Sequence, residues 1–333
     1  MNAPSQHKPV IVVGAGIFGL WQALTLARAG HRVKLMEISQ APFERASSRW
    51  AGAMIAPECE SEAAPSIVRD IGRRSLKIWR DAYPGLRCEG TLVVSAPRDR
   101  PELTRFQRMT ERHQLLHAGK LSELEPELGK RFDCALHYQD EAHMDAYAAL
   151  QWLLEAVQEA GVSVIFGQPW QGETGETVVD CRGIAARDDL KTLRGVRGER
   201  IVLFSRDVKI SRPVRLLHPR QPIYVVPQGD GRYVVGATVI EREDDGPVTV
   251  KSALDLLGAA YALHPGFAEA EIIDGGAGLR PAFADNVPRV SVEQDGRIIR
   301  VNGAYRHGFL VAPALAEDVA AHISTGARTV AFS

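Results

Sequence analysis

Val10-Ile11-Val12-Val13-Gly14-Ala15-Gly16-Ile17-Phe18-Gly19 joins four consecutive β-branched residues to three glycines in the spacing G-x-G-x-x-G. A β-branched run without alternation reads as a strand buried on both faces. Leu20 to Ala29 then carries a helical pattern closed by Gly30, and a second strand over Arg32 to Met36 ends at Glu37. Each glycine has a mechanical reason. The first permits the tight turn, the second lets backbone approach a pyrophosphate, and the third lets the helix pack on the strand. The helix N-terminus offers unpaired N–H groups and a positive dipole to phosphate. Glu37, 18 residues beyond Gly19, is placed to accept from ribose hydroxyls and to repel a 2′-phosphate. Strand, turn, helix, strand and acid together specify a Rossmann-like dinucleotide unit, without separating FAD from NAD.

Outside this unit the composition is that of an ordinary soluble globular protein. The 333 residues are 45% hydrophobic and 24% charged, a length that suits about two domains. A net charge of -1 gives no reason to seek nucleic acid or an anionic membrane. The 8 Lys and 32 Arg are lopsided, and for most of the arginines background composition is explanation enough. The four cysteines (Cys59, Cys88, Cys134, Cys181) form no C-x-x-C pair, which argues against a zinc knuckle, a dithiol site or a disulfide scaffold. The histidines are scattered, so no metal site is expected. Val10 to Trp21 contains three glycines and lacks a following small-residue cleavage site, so it is no signal peptide. No stretch approaches the ~18 apolar residues that span a bilayer. The tail Val330-Ala331-Phe332-Ser333 is no familiar address. The expected location is cytoplasmic.

Farther along, 66–82 reads as an amphipathic helix, 90–95 as a strand and 99–113 as helix-compatible. Asp145 is a candidate N-cap for a helix ending before Gly161, and strands follow at 162–166 and 177–181. From 213 the pattern turns antiparallel. A hairpin over 223–236 turns at Gln228-Gly229-Asp230-Gly231, and another turns at Asp295-Gly296. A helix is expected over 249–263. Pro313 near a first turn and Gly326 after a last one bracket a final helix at 312–325. The elements interleave. Segments 8–87, 145–212 and 266–333 form a discontinuous nucleotide-binding part, and 88–144 and 213–265 form an antiparallel-sheet part, an α/β fold with an α+β second domain.

Three further segments make the chain resemble the flavin-dependent D-amino-acid oxidase superfamily, and within it glycine oxidases of the thiamine-biosynthesis type. They are Ser47-Ser48 with Ala51-Gly52-Ala53-Met54, then Tyr224-Val225-Val226-Pro227 with Gly236-Ala237-Thr238, and finally Gly278-Leu279-Arg280-Pro281 with Gly303-Ala304-Tyr305-Arg306-His307-Gly308-Phe309. With the N-terminal fingerprint they cover essentially the whole chain in order. The resemblance implies non-covalent FAD held by Gly14, Ala15, Gly16, Ile17, Phe18, Gly19, Glu37, Ile38, Ser47, Ser48, Ala51, Gly52 and Ala53. Val164, Cys181, Gly183, Gly303, Tyr305, Arg306, His307, Gly308, Phe309 and Leu310 complete that set. None of the cysteines stands where sarcosine-oxidase relatives attach their flavin.

The resemblance also assigns Arg280 to the substrate carboxylate, with Tyr224 and Arg306 beside it and Met54 and Val239 in the pocket. A guanidinium suits that task because two parallel charge-assisted bonds fix orientation as well as position. Arg280 follows Gly275-Gly276-Ala277-Gly278, read as a flexible run, and is taken to lie opposite the sheet that carries Tyr224. The implied reaction is hydride transfer from Cα of glycine, sarcosine or a small D-amino acid to flavin N5. It gives an imine that hydrolyses to glyoxylate and ammonia, with hydrogen peroxide where oxygen is the acceptor. No protein acid or base is obligatory, since orientation does the catalysis. A dehydrogenase passing electrons to a quinone or partner protein is the alternative. The implied partners are the small amino-acid substrate, a second copy of the chain in a homo-oligomer, and a thiazole synthase that takes over the product. Arg182 is open between a phosphate contact and solvent. Cys59, flanked by Glu58 and Glu60, is expected to be unreactive because those acids oppose a thiolate.

Overall fold

The computed structural model describes residues 9–172 and 175–332. Residue 8, at the expected domain start, and Ser333, at the end of the tail, lie outside the described residues. The chain opens with strand β1 (Val10–Val13), helix α1 (Ile17–Arg28) and strand β2 (Val33–Met36). The side chains of β1 are buried on both faces, and β1 pairs in parallel with β2. A single 3-10 turn (Ser47–Trp50) leads to β3 (Met54–Ile55), α2 (Pro57–Glu60) and α3 (Ser66–Ala82). Then come β4 (Thr91–Ser95), α4 (Arg100–Met109), β5 (Gln114–His117), α5 (Ala118–Leu124), α6 (Pro126–Gly129), β6 (Cys134–Tyr138) and β7 (Ala142–His143). Asp145 caps α7 (Ala146–Glu159) by accepting from the Tyr147 and Ala148 N–H groups. Next follow β8 (Ser163–Ile165), β9 (Thr177–Asp180), β10 (Arg194–Phe204), β11 (Val214–Leu217), β12 (Ile223–Gly229) and β13 (Arg232–Gly236). The chain closes with α8 (Val250–Leu263), β14 (Glu271–Ala282), β15 (Arg289–Glu293), β16 (Ile298–Asn302) and α9 (Gly308–Thr325).

A six-stranded sheet runs β15-β16-β9-β1-β2-β8, parallel except for β15, and an eight-stranded sheet runs β14-β10-β13-β12-β11-β4-β6-β5. The larger sheet corrects the sequence reading at two points. Residues 194–204 and 271–282, grouped there with the nucleotide-binding segments, are neighbouring strands of the eight-stranded sheet. The glycine run before Arg280 is therefore ladder-bonded strand, not a flexible hinge. Arg280 and Tyr224 also belong to one sheet, with two strands between theirs.

Helices α1, α3, α7 and α9 pack with one face of the smaller sheet into the largest apolar cluster, which contains Trp21, Trp79 and Leu310. The final helix begins at Gly308, four residues before the expected start, so Pro313 lies inside it. Proline there leaves the Phe309 carbonyl without its helical N–H partner. The Trp79 indole N–H donates to that carbonyl at 2.8 Å. The deficit is met from α3, and the helix runs through the proline. On the larger sheet, α8 covers the face that carries Ile201, Val225, Tyr233 and Val235. Its other face looks toward the smaller sheet.

Candidate active site

A cleft of about 1100 Å³ runs from the β1–α1 turn to the uncovered face of the larger sheet. At its first end Gly14 sits at φ +95°, and a Cβ there would stand 2.7 Å from the Cys181 carbonyl oxygen. A Cβ on Gly19 would drive into the Gly14 peptide, 2.9 Å from its carbonyl carbon. Gly16 meets nothing nearer than the Ser48 hydroxyl at 3.7 Å. Gly16, the N-cap of α1, has no side chain with which to cap the helix. Ile17 N–H reaches Ser48 Oγ at 3.4 Å, and Gly16, Ile17 and Phe18 line the cleft at the helix N-terminus, where an anion is favoured. The Glu37 carboxylate accepts from Ala15 N–H at 2.7 Å and Ser39 N–H at 2.9 Å. Each oxygen keeps a lone pair for a ribose hydroxyl.

At the other end, strand periodicity does the positioning. Val93, Arg215, Tyr224, Gly236, Arg200 and Gly276 are successive partners across β4, β11, β12, β13, β10 and β14, so their side chains share one face. Glycines in this row make room for side chains lying flat. A Cβ on Gly52 would be 2.6 Å from the Tyr224 ring and one on Gly236 2.5 Å from its hydroxyl, so the phenol is wedged between two glycines. A Cβ on Gly276 would fall 2.2–2.5 Å from the Trp50 ring, and the guanidinium carbons of Arg49 and Arg200 lie 4.8 and 5.4 Å from that ring's centroid.

Arg280 lies on the same face, two residues beyond Gly278, and its guanidinium folds over Gly198. Its one hydrogen bond among the described residues is from Nη1 to the Thr238 carbonyl, 3.0 Å. Among the described residues no carboxylate is paired with it. Burial pulls its pKa below the ordinary arginine range, while Tyr224 and Tyr305 act the other way. Arginine stays charged under such shifts. A guanidinium deep in a cleft, with open donors and no ion pair among the described residues, has the chemistry to receive a carboxylate. The wall beside it is strapped by Arg197, which donates to Glu199 (2.6 Å), the Asp244 carboxylate (2.6 Å) and the Gly246 and Pro247 carbonyls (2.9 and 2.6 Å).

Most residues anticipated from sequence line this cleft: Gly14, Gly16, Ile17, Phe18, Glu37, Ile38, Ser47, Ser48, Ala51, Gly52, Ala53, Met54, Cys181, Gly183, Tyr224, Val239, Arg280 and Tyr305 to Leu310. Four stand off it. Ala15 and Gly19 pack behind the turn, Val164 is half-buried in β8, and Gly303, at φ +77°, is pressed against the Phe283 ring. Arg182 is neither a free phosphate ligand nor solvated: it is paired with Asp180 at 2.8 Å and with Asp189, and stacks on Trp170 at 5.0 Å. Cys59 is fully buried, and burial comes first in raising its thiol well above the usual range, with Glu141 next. Glu60 contributes least, so the flanking acids are a minor part of the cause. Sequence reasoning missed Trp50, Gly198, Glu60 and Arg215. An alternate-glycine strand, Gly276-x-Gly278-x-Arg280, was the available signal for the first two.

A cleft with an anion cradle at one end and a carboxylate receptor at the other suits a long dinucleotide whose far end meets a small acid, the layout of a dinucleotide-dependent oxidoreductase. Gly14 and Gly16, where a Cβ would intrude on backbone or cleft, fit the pyrophosphate of such a group. The chain belongs to the FAD dependent oxidoreductase (DAO) family, which matches residues 9–322. FAD is its cofactor. It is 46% identical over 318 residues to a protein of Rhizobium etli named as a thiamine biosynthesis oxidoreductase, ThiO, covering 95% of this chain and 96% of that one. It is 26% identical to a glycine oxidase of Bacillus licheniformis, covering 93% and 91%. The crystal structure of glycine oxidase from Bacillus cereus superposes with a TM-score of 0.82 at 21% identity, covering 97% and 98%, a likeness of fold. Among the described residues no helix is long and apolar enough to cross a membrane.

Proposed function

We propose that the protein oxidises glycine or a similarly small amino acid, such as sarcosine or a small D-amino acid, to its imine, with oxygen as acceptor and hydrogen peroxide as product. The observation that carries this reading is Arg280, a guanidinium without a carboxylate partner on the face that also presents Tyr224. The smaller sheet holds the cofactor and the larger one the substrate. Bound FAD supplies the hydride acceptor. The residues of this chain fix the substrate carboxylate through Arg280, with the Tyr224 hydroxyl on the same face of the sheet. Met54 packs with Tyr224 against Val226 and Val234, and Val239 adjoins the carbonyl that holds Arg280. Both restrict the space beyond Cα. This is catalysis by orientation. FAD is held without a covalent bond, and all four cysteines are unpaired, in keeping with a cytoplasmic setting. The names of the relatives support glycine as substrate and a place in thiamine biosynthesis, where a thiazole-forming partner would take the imine before water does.

The test is anaerobic addition of glycine, sarcosine, D-alanine and D-proline to the purified protein. Bleaching of the flavin bands by one of them identifies the substrate, and peroxide formed in step with imine identifies oxygen as acceptor. Rapid dye reduction with negligible peroxide would instead make the protein a dehydrogenase. Arg280→Ala should raise KM steeply for carboxylate substrates while FAD stays bound. Unchanged kinetics would remove Arg280 from the site.

A further inference from the structure

One carboxylate in the cleft has no part in the reading above. Glu60 ends α2, whose three last residues are each anchored. Glu58 is forked by Arg73 at 2.7 and 2.8 Å, Cys59 N–H donates to Glu141 at 2.8 Å, and Glu60 is bound by Arg215. The second oxygen of Glu60 accepts from Arg306 Nε at 3.0 Å and lies 3.2 Å from His307 Nδ1. Burial would favour the neutral acid, but Arg306 and Arg215 outweigh it and hold Glu60 well below the usual carboxylate range. It is an anion. Arg215 is the cross-strand neighbour of Tyr224, so the anchor belongs to the same row of the sheet. Arg306 is tied through Nε alone. Among the described residues its two Nη groups have no hydrogen-bond partner, and a guanidinium held at Nε alone keeps the edge formed by its two Nη groups open to a second anion. Arg280 lies near enough to sense the charges of both Arg306 and Glu60.

We propose that Glu60, anchored by Arg215, is a positioning residue that pins Arg306 by Nε and presents its Nη edge to the carboxylate bound by Arg280. Two guanidinium groups then address one ligand carboxylate from two elements, β14 and the turn before α9. The inference rests on the reading of Arg280 as the carboxylate receptor. It also has a sign that a bystander anion lacks. A carboxylate that acted through its charge alone would repel the ligand, and deleting it would tighten anion binding. A carboxylate that orients Arg306 weakens anion binding when deleted.

Acetate is the probe, titrated into the FAD-loaded enzyme and followed by the flavin absorbance change. Glu60→Ala and Arg306→Ala should each raise the acetate Kd on the order of tenfold, the loss of one charge-assisted contact. The double variant should bind no more weakly than Arg306→Ala, because one contact is lost in all three. Acetate binding that is unchanged or tighter in Glu60→Ala, or effects that add in the double variant, overturns the proposal. If Glu60→Ala does not retain FAD, Glu60→Gln, which keeps the volume, is judged by the same two criteria. Arg280→Ala separates the two layers: if it leaves acetate binding intact, the carboxylate receptor itself is misassigned. If it abolishes binding while Glu60→Ala does nothing, Glu60 alone is misassigned.

Discussion

Gly198→Ala is the sharpest test of how this sheet builds its receptor. Gly198 lies in β10 opposite Gly278, in extended backbone that alanine adopts without strain. A Cβ there would stand 2.6 Å from Arg280 Nη1 and nearer still to the guanidinium carbon. Ordinary contact begins at 3.4 Å and the nearest guanidinium nitrogen would stand 2.0 Å away, so the group must move by about 1.4 Å, a displacement that in an oriented site costs far more than its size suggests. The backbone and the core behind the strand are untouched. Replacing Gly by Ala in compatible backbone stabilises by about 0.4–1 kcal/mol through the unfolded chain. Thermal stability and FAD content should therefore hold while carboxylate binding suffers. Misaligning a charge-assisted pair costs roughly 1.5–3 kcal/mol, or roughly 10–150-fold in affinity. The assay is acetate titration of the loaded protein alongside a thermal melt. Wild-type acetate affinity in a well-folded, FAD-replete Gly198→Ala would show that the guanidinium over Gly198 is not the anion receptor.

Two further expectations concern stability. Glu141 is buried with one oxygen on Cys59 N–H, and burial pushes its carboxyl up to about 7 against the pull of Arg215. A carboxyl raised in the folded state contributes fully below its ordinary range, and the contribution is lost as pH climbs through about 7. The loss is on the order of 3 kcal/mol. Glu141→Gln should flatten the fall in urea midpoint across that window, and parallel pH profiles for variant and wild type would contradict it. Trp79→Phe should destabilise by about 1–3 kcal/mol, because it orphans the Phe309 carbonyl. In a Pro313→Ala background, where the helix regains its own donor, the cost should shrink. Equal costs in both backgrounds would refute the compensation.

The parts of the fold legible in the sequence were those whose pattern is local. The β1–α1–β2 unit carries its glycines, its periodicity and its acid within 28 residues, from Val10 to Glu37, and Asp145 announces α7 by capping chemistry. Strands β10 and β14 were not legible, because long-range partners supply what their sequences lack. Nothing local in the sequence marks Arg197 and Glu199 as interior, yet both are buried, satisfied by each other and by Asp244 to Pro247. Three glycines in β14 read as slack, yet the Trp50 ring fills the space beside Gly276 and Gly278. Glu60 looked like an acidic neighbour of Cys59, and its meaning comes from Arg215 and Arg306, 155 and 246 residues away. Alternation of side chains predicts a strand only where its burial is apolar.

The Arg197 strap also bears on how the cleft opens. The segment from Thr238 to Pro247 is long enough to behave as a mobile lid, but two backbone bonds join Ile240 to Arg197 at 2.9 Å each, and one buried guanidinium holds the far end. Lifting it would leave that buried charge with Glu199 alone and cost it the Asp244, Gly246 and Pro247 acceptors, so the segment moves with β10 or not at all. Its amides should exchange with solvent on the slow timescale of the sheet interior, not the fast one of surface loops. Ligands must then enter past some other edge of the cleft. Val239 acts as a fixed sill rather than a gate.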